Sequence, residues 1–237
     1  MTGMWSSLFV SLLLAHFVGD YLLQSGPLCK QKREKKERSW FQYVHALIIA
    51  ILTWVAVWDA RLWYVALAVG FSHLIIDIGK SHVKDENVWA YVLDQVLHIL
   101  VMAVAAWGCV HRLGWSGPAW LTPPVWKVEA VMVAGIICWR PANFLIRSVL
   151  QYNRIAIPSA PDTFHAGQLI GILERWLILV FLLIGHYEVI GFLIAAKSII
   201  RFGDHDRTQT EYFLVGTLLS IAIAVGCGLL VMAVWMG

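Results

Sequence analysis

The stretch SHLIIDIGK, residues 72–80, places a histidine and an aspartate inside a run that is otherwise suited to lipid. His73 and Asp77 lie four residues apart, so a helix carries both on one face, one turn above the other. Ionisable side chains at the centre of a bilayer cost roughly 2.5–3.5 kcal/mol each on insertion scales. A helix that keeps two such groups on adjacent turns is expected to use them.

The composition indicates an integral membrane protein. Of the 237 residues, 59% are hydrophobic and only 14% are charged, and the mean hydropathy is +0.70. Soluble domains average about 25% charged residues, which excludes a soluble fold. The 13 Trp residues fit a chain with many membrane–water interfaces, where amphipathic rings accumulate. Four scattered Cys residues without C-x-x-C spacing predict neither a zinc knuckle nor a disulfide framework.

Apolar runs of about 20 residues predict membrane-spanning helices. We expect an all-α polytopic membrane protein, a bundle of about eight transmembrane helices, with a His- and Asp-rich half at 1–112 and a second half at 113–237. The first run lacks a basic segment and a small-residue cleavage site, so we interpret it as a retained span and not a signal peptide. The expected spans are 5–25, 42–58, 61–79, 89–110, 126–148, 169–186, 187–201 and 212–235.

The distribution of charge predicts the orientation. The connection KQKREKKER, 30–38, holds six Lys or Arg residues against two Glu, whereas the opposite side has only Arg61, Arg112 and Lys127. By the positive-inside rule the basic side faces the cytoplasm, which places both termini on the outer side. An alternative is that 30–38 binds anionic lipid or nucleic acid, but a solvated orientation signal is the simpler interpretation, and we expect no nucleic-acid partner. Further basic residues on the same side are Lys80, Lys84, Arg147, Arg154, Arg201 and Arg207.

Histidine and acidic residues recur at one depth of the first four expected spans. They lie near the end of the first and third spans and near the start of the second and fourth. Because successive spans alternate in direction, all of them fall on the cytoplasmic side, roughly 5–15 Å inside the boundary at about 1.5 Å rise per residue. The four helices are therefore expected to converge on one site. The residues are His16, Asp20, His45, His73, Asp77, Asp94 and His98.

Imidazole and carboxylate groups are ligands for zinc, manganese or iron, and a cation would neutralise carboxylates that lipid penalises. A catalytic zinc needs about three protein ligands, so this set predicts either two ions that share carboxylates or one ion with orienting residues and a general base. Zinc is the first expectation. The catalytic candidates are Asp94, as a bridging ligand or general base, and His45, which orients or ligates. The expected metal ligands are His16, Asp20, His73, Asp77 and His98. The alternative is a set of hydrogen-bonded Asp–His pairs that only hold the bundle together.

The second half adds charged residues that also fall on the cytoplasmic side. Arg140, Arg175 and Lys197 are candidates for recognising an anionic head group, because the planar fork of arginine donates bidentately to phosphate. Gln24, in the first half, is a further candidate for substrate binding. Snorkelling, or pairing with Glu174, is the alternative for the cationic residues.

Two local signals lie between these residues. Pro141, in ICWRPANFLIRS, predicts a kink in the fifth span that frees a backbone carbonyl. His165, in PDTFHAGQ, is an additional candidate ligand, and Asp162 or Thr163 is expected to cap the helix that follows.

The segments LLLAHFVGDYLLQ, VHAL, SHLIIDIGK and LDQVLH together resemble the DUF3307 family of bacterial membrane proteins, over about the first 110 residues. The segments AGQLIGILERW, IGFLIAAKSIIRF and TEYFLVGTLLS resemble the C-terminal extension of longer members. The resemblance implies a bacterial inner-membrane setting. It carries no catalytic assignment, because the family is uncharacterised.

Three functional classes remain open from the sequence. The first is a membrane-embedded metal-dependent hydrolase that acts on an amphiphilic substrate, a lipid phosphate or an ester, at the cytoplasmic leaflet. The second is a divalent-metal transporter, because H-x-x-x-D on two helices resembles the transmembrane zinc site of cation-diffusion facilitators. The third is a metal-free structural or regulatory membrane protein. Whether the chain forms a homo-oligomer is also left open.

Overall fold

The computed structural model describes residues 2–83, 87–155, 161–200 and 207–236, with side chains described at 3–83, 87–155, 167–199 and 211–236. All regular structure in these ranges is helical, which confirms the expected all-α class. The α-helices are α1 (Thr2–Phe17), α2 (Gly26–Lys35), α3 (Trp40–Val57), α4 (Trp63–Ser81), α5 (Val88–His111), α6 (Pro123–Ile137), α7 (Arg140–Tyr152), α8 (Pro161–Leu183), α9 (Tyr187–Ile200) and α10 (Arg207–Met236). A π-helical turn, Val18–Leu22, continues α1.

Six segments of the described residues are long and apolar enough to cross a membrane, so the chain is a membrane protein. Helices α8 and α9 occupy the positions at which the sixth and seventh spans are expected. The six segments are Gly3–Leu22, Trp40–Val57, Ala60–Ser81, Val88–His111, Pro123–Tyr152 and Glu211–Met236.

The described residues up to Val133 form one compact unit, and those from Ala134 onward form a second. In the first unit α1 packs against α3 and α5, and α4 packs against the same two helices, so the four form a closed ring. An apolar core fills one end of this ring, where Leu8 and Leu12 of α1 meet Val57 and Met102. The indole N–H of Trp115 closes that end by donating to the carbonyl of Val57 at 2.7 Å.

Helices α3 and α4 approach each other closely at Gly70. A Cβ at this position would lie 2.8 Å from the carbonyl oxygen of Ala46 and 2.8 Å from the Cβ of Ala50. Glycine is therefore required for the observed separation of the two backbones. The close approach matters for the site, because His73 lies one turn after Gly70 and faces His45 of α3.

In the second unit, the expected fifth span is broken and not merely bent. Helix α6 ends at Ile137 and α7 begins at Arg140, so the prediction of a kink at Pro141 is confirmed. Proline has no N–H to donate to the carbonyl four residues before it, and its ring clashes with that carbonyl, so a helix is kinked or broken near this point. The side chain of Arg175, on α8, donates from Nε to the carbonyl of Cys138 at 2.6 Å. A buried arginine thus satisfies a carbonyl at the break.

Candidate metal centre

The polar residues of the first four spans meet at the end of the ring opposite the apolar core. His16 comes from the last turn of α1 and Asp20 from the π-helical turn that follows it. Helix α3 contributes one histidine near its start, and α4 and α5 contribute the remaining His and Asp residues. Six of the seven residues are buried, and the side chain of Asp20 is 13% exposed. π-Helical turns occur often at functional sites, and this one positions the single acid of the first span.

The innermost atoms belong to Asp20, His45 and His73. His45 Nε2 lies 3.0 Å from Asp20 Oδ1 and 3.1 Å from His73 Nε2. His73 Nε2 lies 3.5 Å from the same Asp20 oxygen. Three different helical segments therefore present one atom each to a common point.

A neutral His45 cannot form hydrogen bonds to both Asp20 and His73 through Nε2. A neutral imidazole nitrogen is either a donor or an acceptor, and never both. If His45 Nε2 donates to Asp20, it has no lone pair to accept a proton from His73. If it accepts from His73, its lone pair faces the carboxylate. A cation held between the three atoms satisfies all of them at once.

The distances fit a tetrahedral metal ion. Ligand atoms about 2.0–2.1 Å from a tetrahedral ion lie roughly 3.3–3.4 Å from one another. The triangle formed by Asp20, His45 and His73 has edges of 3.0, 3.1 and 3.5 Å. Asp77 Oδ2 is the fourth neighbour, 3.5 Å from His73 Nε2 and 3.9 Å from His45 Nε2. The arrangement requires only small adjustments to become a ligand cage.

A second group surrounds His98. Its Nδ1–H donates to the carbonyl of Asp94 at 2.8 Å, which leaves the lone pair of a neutral ring on Nε2. That atom is buried and, among the described residues, has no hydrogen-bond partner; the same holds for Asp94 Oδ1 and His16 Nε2. The His98 ring lies 4.8 Å from the His16 ring and 4.2 Å from the His73 ring, centroid to centroid.

Three overlapping groups of these residues present ligand atoms that lie within 4.8 Å of one another. Because His73 and Asp77 each belong to two groups, the cluster can hold one ion or two ions that share ligands. The groups are His16, Asp20 and His73; His45, His73 and Asp77; and Asp77, Asp94 and His98.

Two lysines that the sequence analysis did not assign to the site neutralise its acids. Lys32, on α2, forms a buried ion pair with Asp77. Lys80 forms another with Asp94, at 2.6 Å from Nζ to Oδ2. Lys80 was detectable in SHLIIDIGK, since it follows Asp77 by three residues. Nothing in the sequence distinguishes Lys32 from the other basic residues of 30–38, because only the fold directs its side chain to Asp77.

Gln42 is a further residue that the sequence analysis missed. It is 1% exposed, and both atoms of its side-chain amide are buried without a hydrogen-bond partner among the described residues. It precedes His45 by three residues on α3, so the two share a face. The sequence signal that could have identified Gln42 is its uncharged polar side chain, one helical turn from the candidate ligand His45.

The expected substrate-binding residues occupy separate places. Gln24 follows the π-helical turn and is partly buried. In the second unit, Arg175 is buried at the helix break and Lys197 pairs with Glu174. Arg140 is exposed and lies over the ring of Trp139, 4.8 Å from its centroid. The role of these four as substrate contacts stays a prediction.

Several expectations fall outside the described residues or side chains. They concern Lys84, Asp162, Thr163, His165, Arg201 and Arg207.

Comparison with known proteins gives one family match, which lies in the first unit. The model of a family described as "Protein of unknown function (DUF3307)" matches residues 8–123, in agreement with the resemblance noted above. The match contains all seven polar residues of the candidate centre. No curated protein and no solved structure matches the chain.

Proposed function

We propose that the chain, whose residues 8–123 match the model of the DUF3307 family of unknown function, is a membrane-embedded, metal-dependent hydrolase that acts on an amphiphilic substrate at the cytoplasmic leaflet. The observation that carries the proposal is the convergence of Asp20 Oδ1, His45 Nε2 and His73 Nε2, whose mutual contacts suit a shared cation and cannot all be hydrogen bonds of neutral imidazoles.

The proposed ion is zinc, with manganese or iron as alternatives that the same ligands accept. Asp20, His45 and His73 are its ligands, and Asp77 lies beside them in its ion pair with Lys32. His45 thereby takes the ligating one of its two expected roles. In the alternative two-ion form, Asp77, Asp94 and His98 would hold the second ion, and Asp94 would be a ligand instead of the base. His16, whose Nε2 lies 3.7 Å from Asp20 Oδ2, supports the acid or joins the cage.

When bound, the metal would supply a Lewis acid that polarises a carbonyl or phosphoryl oxygen. Asp94 is proposed as the general base. Its Oδ2 is held by Lys80 and by the amide of Gln95, which fixes the carboxylate. Its Oδ1 lies 3.7 Å from His98 Nδ1 and has no hydrogen-bond partner among the described residues. An oriented carboxylate with one unengaged oxygen is suited to accept a proton from water.

The surroundings of the cluster favour a substrate with an anionic or polar head group. Lys32 and Lys80 border the cluster, and Tyr21 and Tyr91 bond each other beside it at 2.9 Å between hydroxyl oxygens. A site at one end of the bundle can receive the head of a lipid while its chains remain in the leaflet. A lipid phosphate or an acyl ester fits this arrangement, and Gln24 is proposed as one of its contacts.

The setting proposed for this activity is the bacterial inner membrane. The eight spans expected from the sequence, with both termini on the outer side, place the cluster near the cytoplasmic surface by the positive-inside rule. The proposal includes no nucleic-acid partner, and it holds for a monomer or a homo-oligomer.

Divalent-metal transport is the second candidate, because one observation favours it. Asp20, His45, His73 and Asp77 can supply four protein ligands, and a closed four-ligand set leaves no position for a substrate. The ion pair between Asp77 and Lys32 favours hydrolysis instead. It engages the carboxylate of Asp77 and leaves three ligands for the ion, so one position stays open for a substrate.

The test is hydrolysis by the full-length protein in liposomes, with phospholipid and acyl-ester substrates, before and after chelation and zinc addition. We expect zinc-dependent release of product, abolished in Asp94→Asn although bound zinc is retained. Asp59→Asn is the control, since Asp59 pairs with Arg61 outside the cluster. Zinc flux into sealed vesicles without hydrolysis would assign transport, and absence of both activities with no stoichiometric metal would refute both candidates.

A further inference from the structure

The second unit contains a cleft, open to its surroundings, between its helices. Its walls come from α7, α8, α9 and α10. The cationic residues of the lining are Arg147, Arg175 and Lys197, and the described lining includes no Asp or Glu residue. A described lining with three cationic and no acidic side chains favours an anionic ligand.

Arg175 carries the strongest argument, because its charge is buried. It is 1% exposed, and its three nitrogen atoms donate to neutral acceptors: Cys138 O, Ser220 Oγ at 3.0 Å and Asn143 Oδ1 at 2.5 Å. Among the described residues no carboxylate forms an ion pair with it. Hydrogen bonds to neutral groups do not replace the compensation that a buried charge needs from an opposite charge.

Donor capacity remains at this guanidinium. Arginine has five N–H groups, and three of them are used by the contacts above. The guanidinium packs closely against Gly171, since a Cβ at that position would lie only 3.2 Å from Nη1. Gly171 and Arg175 both line the cleft, so the guanidinium lies at its wall.

The remainder of the lining combines polar and apolar groups. Gln168 and Thr217 offer neutral hydrogen-bonding groups, while Ile146, Leu150 and Phe213 are apolar. The nearby carboxylate of Glu174 is engaged by Lys197. The ligand that fits this lining has a compact anionic group attached to an apolar body.

We infer that this cleft binds the phosphate group of an anionic phospholipid. Arginine is suited to phosphate because its planar fork donates to two oxygens at once. The apolar residues would contact the glycerol and the first part of the acyl chains. The inference requires no metal, so it stands or falls independently of the proposed hydrolase.

The experiment measures lipid retention by the full-length protein in a neutral detergent. Native mass spectrometry and the thermal unfolding midpoint are recorded with phosphatidylglycerol, with phosphatidylcholine of the same chains, and with inorganic phosphate. The variant is Arg147→Gln, because Arg147 is an exposed lining residue whereas replacing Arg175 would disturb the helix break. The matched control is Arg154→Gln, an exposed arginine two residues beyond the same helix and outside the lining.

We expect retention of phosphatidylglycerol over phosphatidylcholine and stabilisation by bound lipid. The affinity should be at least about tenfold weaker in Arg147→Gln but unchanged in Arg154→Gln. If inorganic phosphate binds but the lipids do not, and if this binding also depends on Arg147, the cleft is a phosphate site whose ligand comes from solution. Equal effects of the two substitutions, or no preference between the lipids and no binding of phosphate, would overturn the inference.

Discussion

The Nε2 atoms of His45 and His73 lie 3.1 Å apart, although the two rings come from different membrane helices. Both atoms also lie within 3.5 Å of one oxygen of Asp20. Two imidazole nitrogens this close to each other and to one carboxylate oxygen cannot all hydrogen-bond to one another. The same three atoms are suitably placed to ligate one metal ion. The proposals for the first unit depend on this relationship.

Removing either histidine is expected to abolish metal binding. The parent protein should contain about one or two equivalents of zinc, manganese or iron, and His45→Ala and His73→Ala should each contain a small fraction of this. Elemental analysis by mass spectrometry of the detergent-purified proteins makes the measurement. His111→Ala is the control, because His111 is exposed at the other end of α5. Equal metal content in all four proteins, or none in the parent after reconstitution, would refute the metal centre.

The close approach of α3 and α4 at Gly70 should determine the metal affinity of the site, which lies one helical turn away. Gly70→Ala introduces a Cβ 2.8 Å from the backbone carbonyl of Ala46, so the helices must separate and carry His73 away from His45. We expect metal affinity to fall by at least about tenfold in a protein that still folds, as measured by competition with a chelating dye. Gly79→Ala is the matched control on the same helix, since a Cβ there meets nothing within 4 Å. An affinity unchanged by Gly70→Ala would show that helix separation does not set the site.

The ion pair between Lys32 and Asp77 should oppose metal binding. In Lys32→Met the metal-free protein is expected to lose about 3–5 kcal/mol of stability, because an acid stays buried without its partner. The stabilisation produced by added zinc should increase, since the cation then replaces the lost positive charge. Thermal unfolding with and without zinc measures both effects.

Lys30→Met provides the control for that experiment. Lys30 pairs with Glu34, and its side chain is 72% exposed, so the substitution should change neither quantity appreciably. If zinc stabilised Lys32→Met less than the parent, Lys32 would be a supporting residue of the centre and not a competitor of the cation.

Arg175 should be essential to the second unit, because it satisfies the carbonyl of Cys138 at the break between α6 and α7. Arg175→Met removes three hydrogen bonds and leaves this buried carbonyl without its donor, which costs about 1–3 kcal/mol for the orphaned group alone. The unfolding midpoint in detergent should fall accordingly. Arg140→Met, on an exposed residue, should leave it within the error of the measurement. Equal unfolding midpoints for the two variants would show that Arg175 does not stabilise the break between α6 and α7.

The sequence was sufficient to predict the all-α class and the convergence of the polar residues of the first four spans. Lipid imposes a run of apolar residues on every span, so His16, His73 and Asp94 stood out against it, and alternation of direction placed them on one side. Pro141 likewise marked the helix break by itself, because a missing N–H has the same consequence in any fold.

Only the tertiary structure decided which of these atoms meet. Spacing along one helix pairs His73 with Asp77, but the nearest partner of His73 is His45, on another helix, and Gly70 sets that distance through contact between two backbones. Lys32 is one of six basic residues in its segment, and the turn of α2 against the bundle alone directs it to Asp77. Side-chain identity fixes the chemistry and depth of a membrane residue, whereas the rotation and separation of helices fix its partners, and these depend on packing across the whole unit.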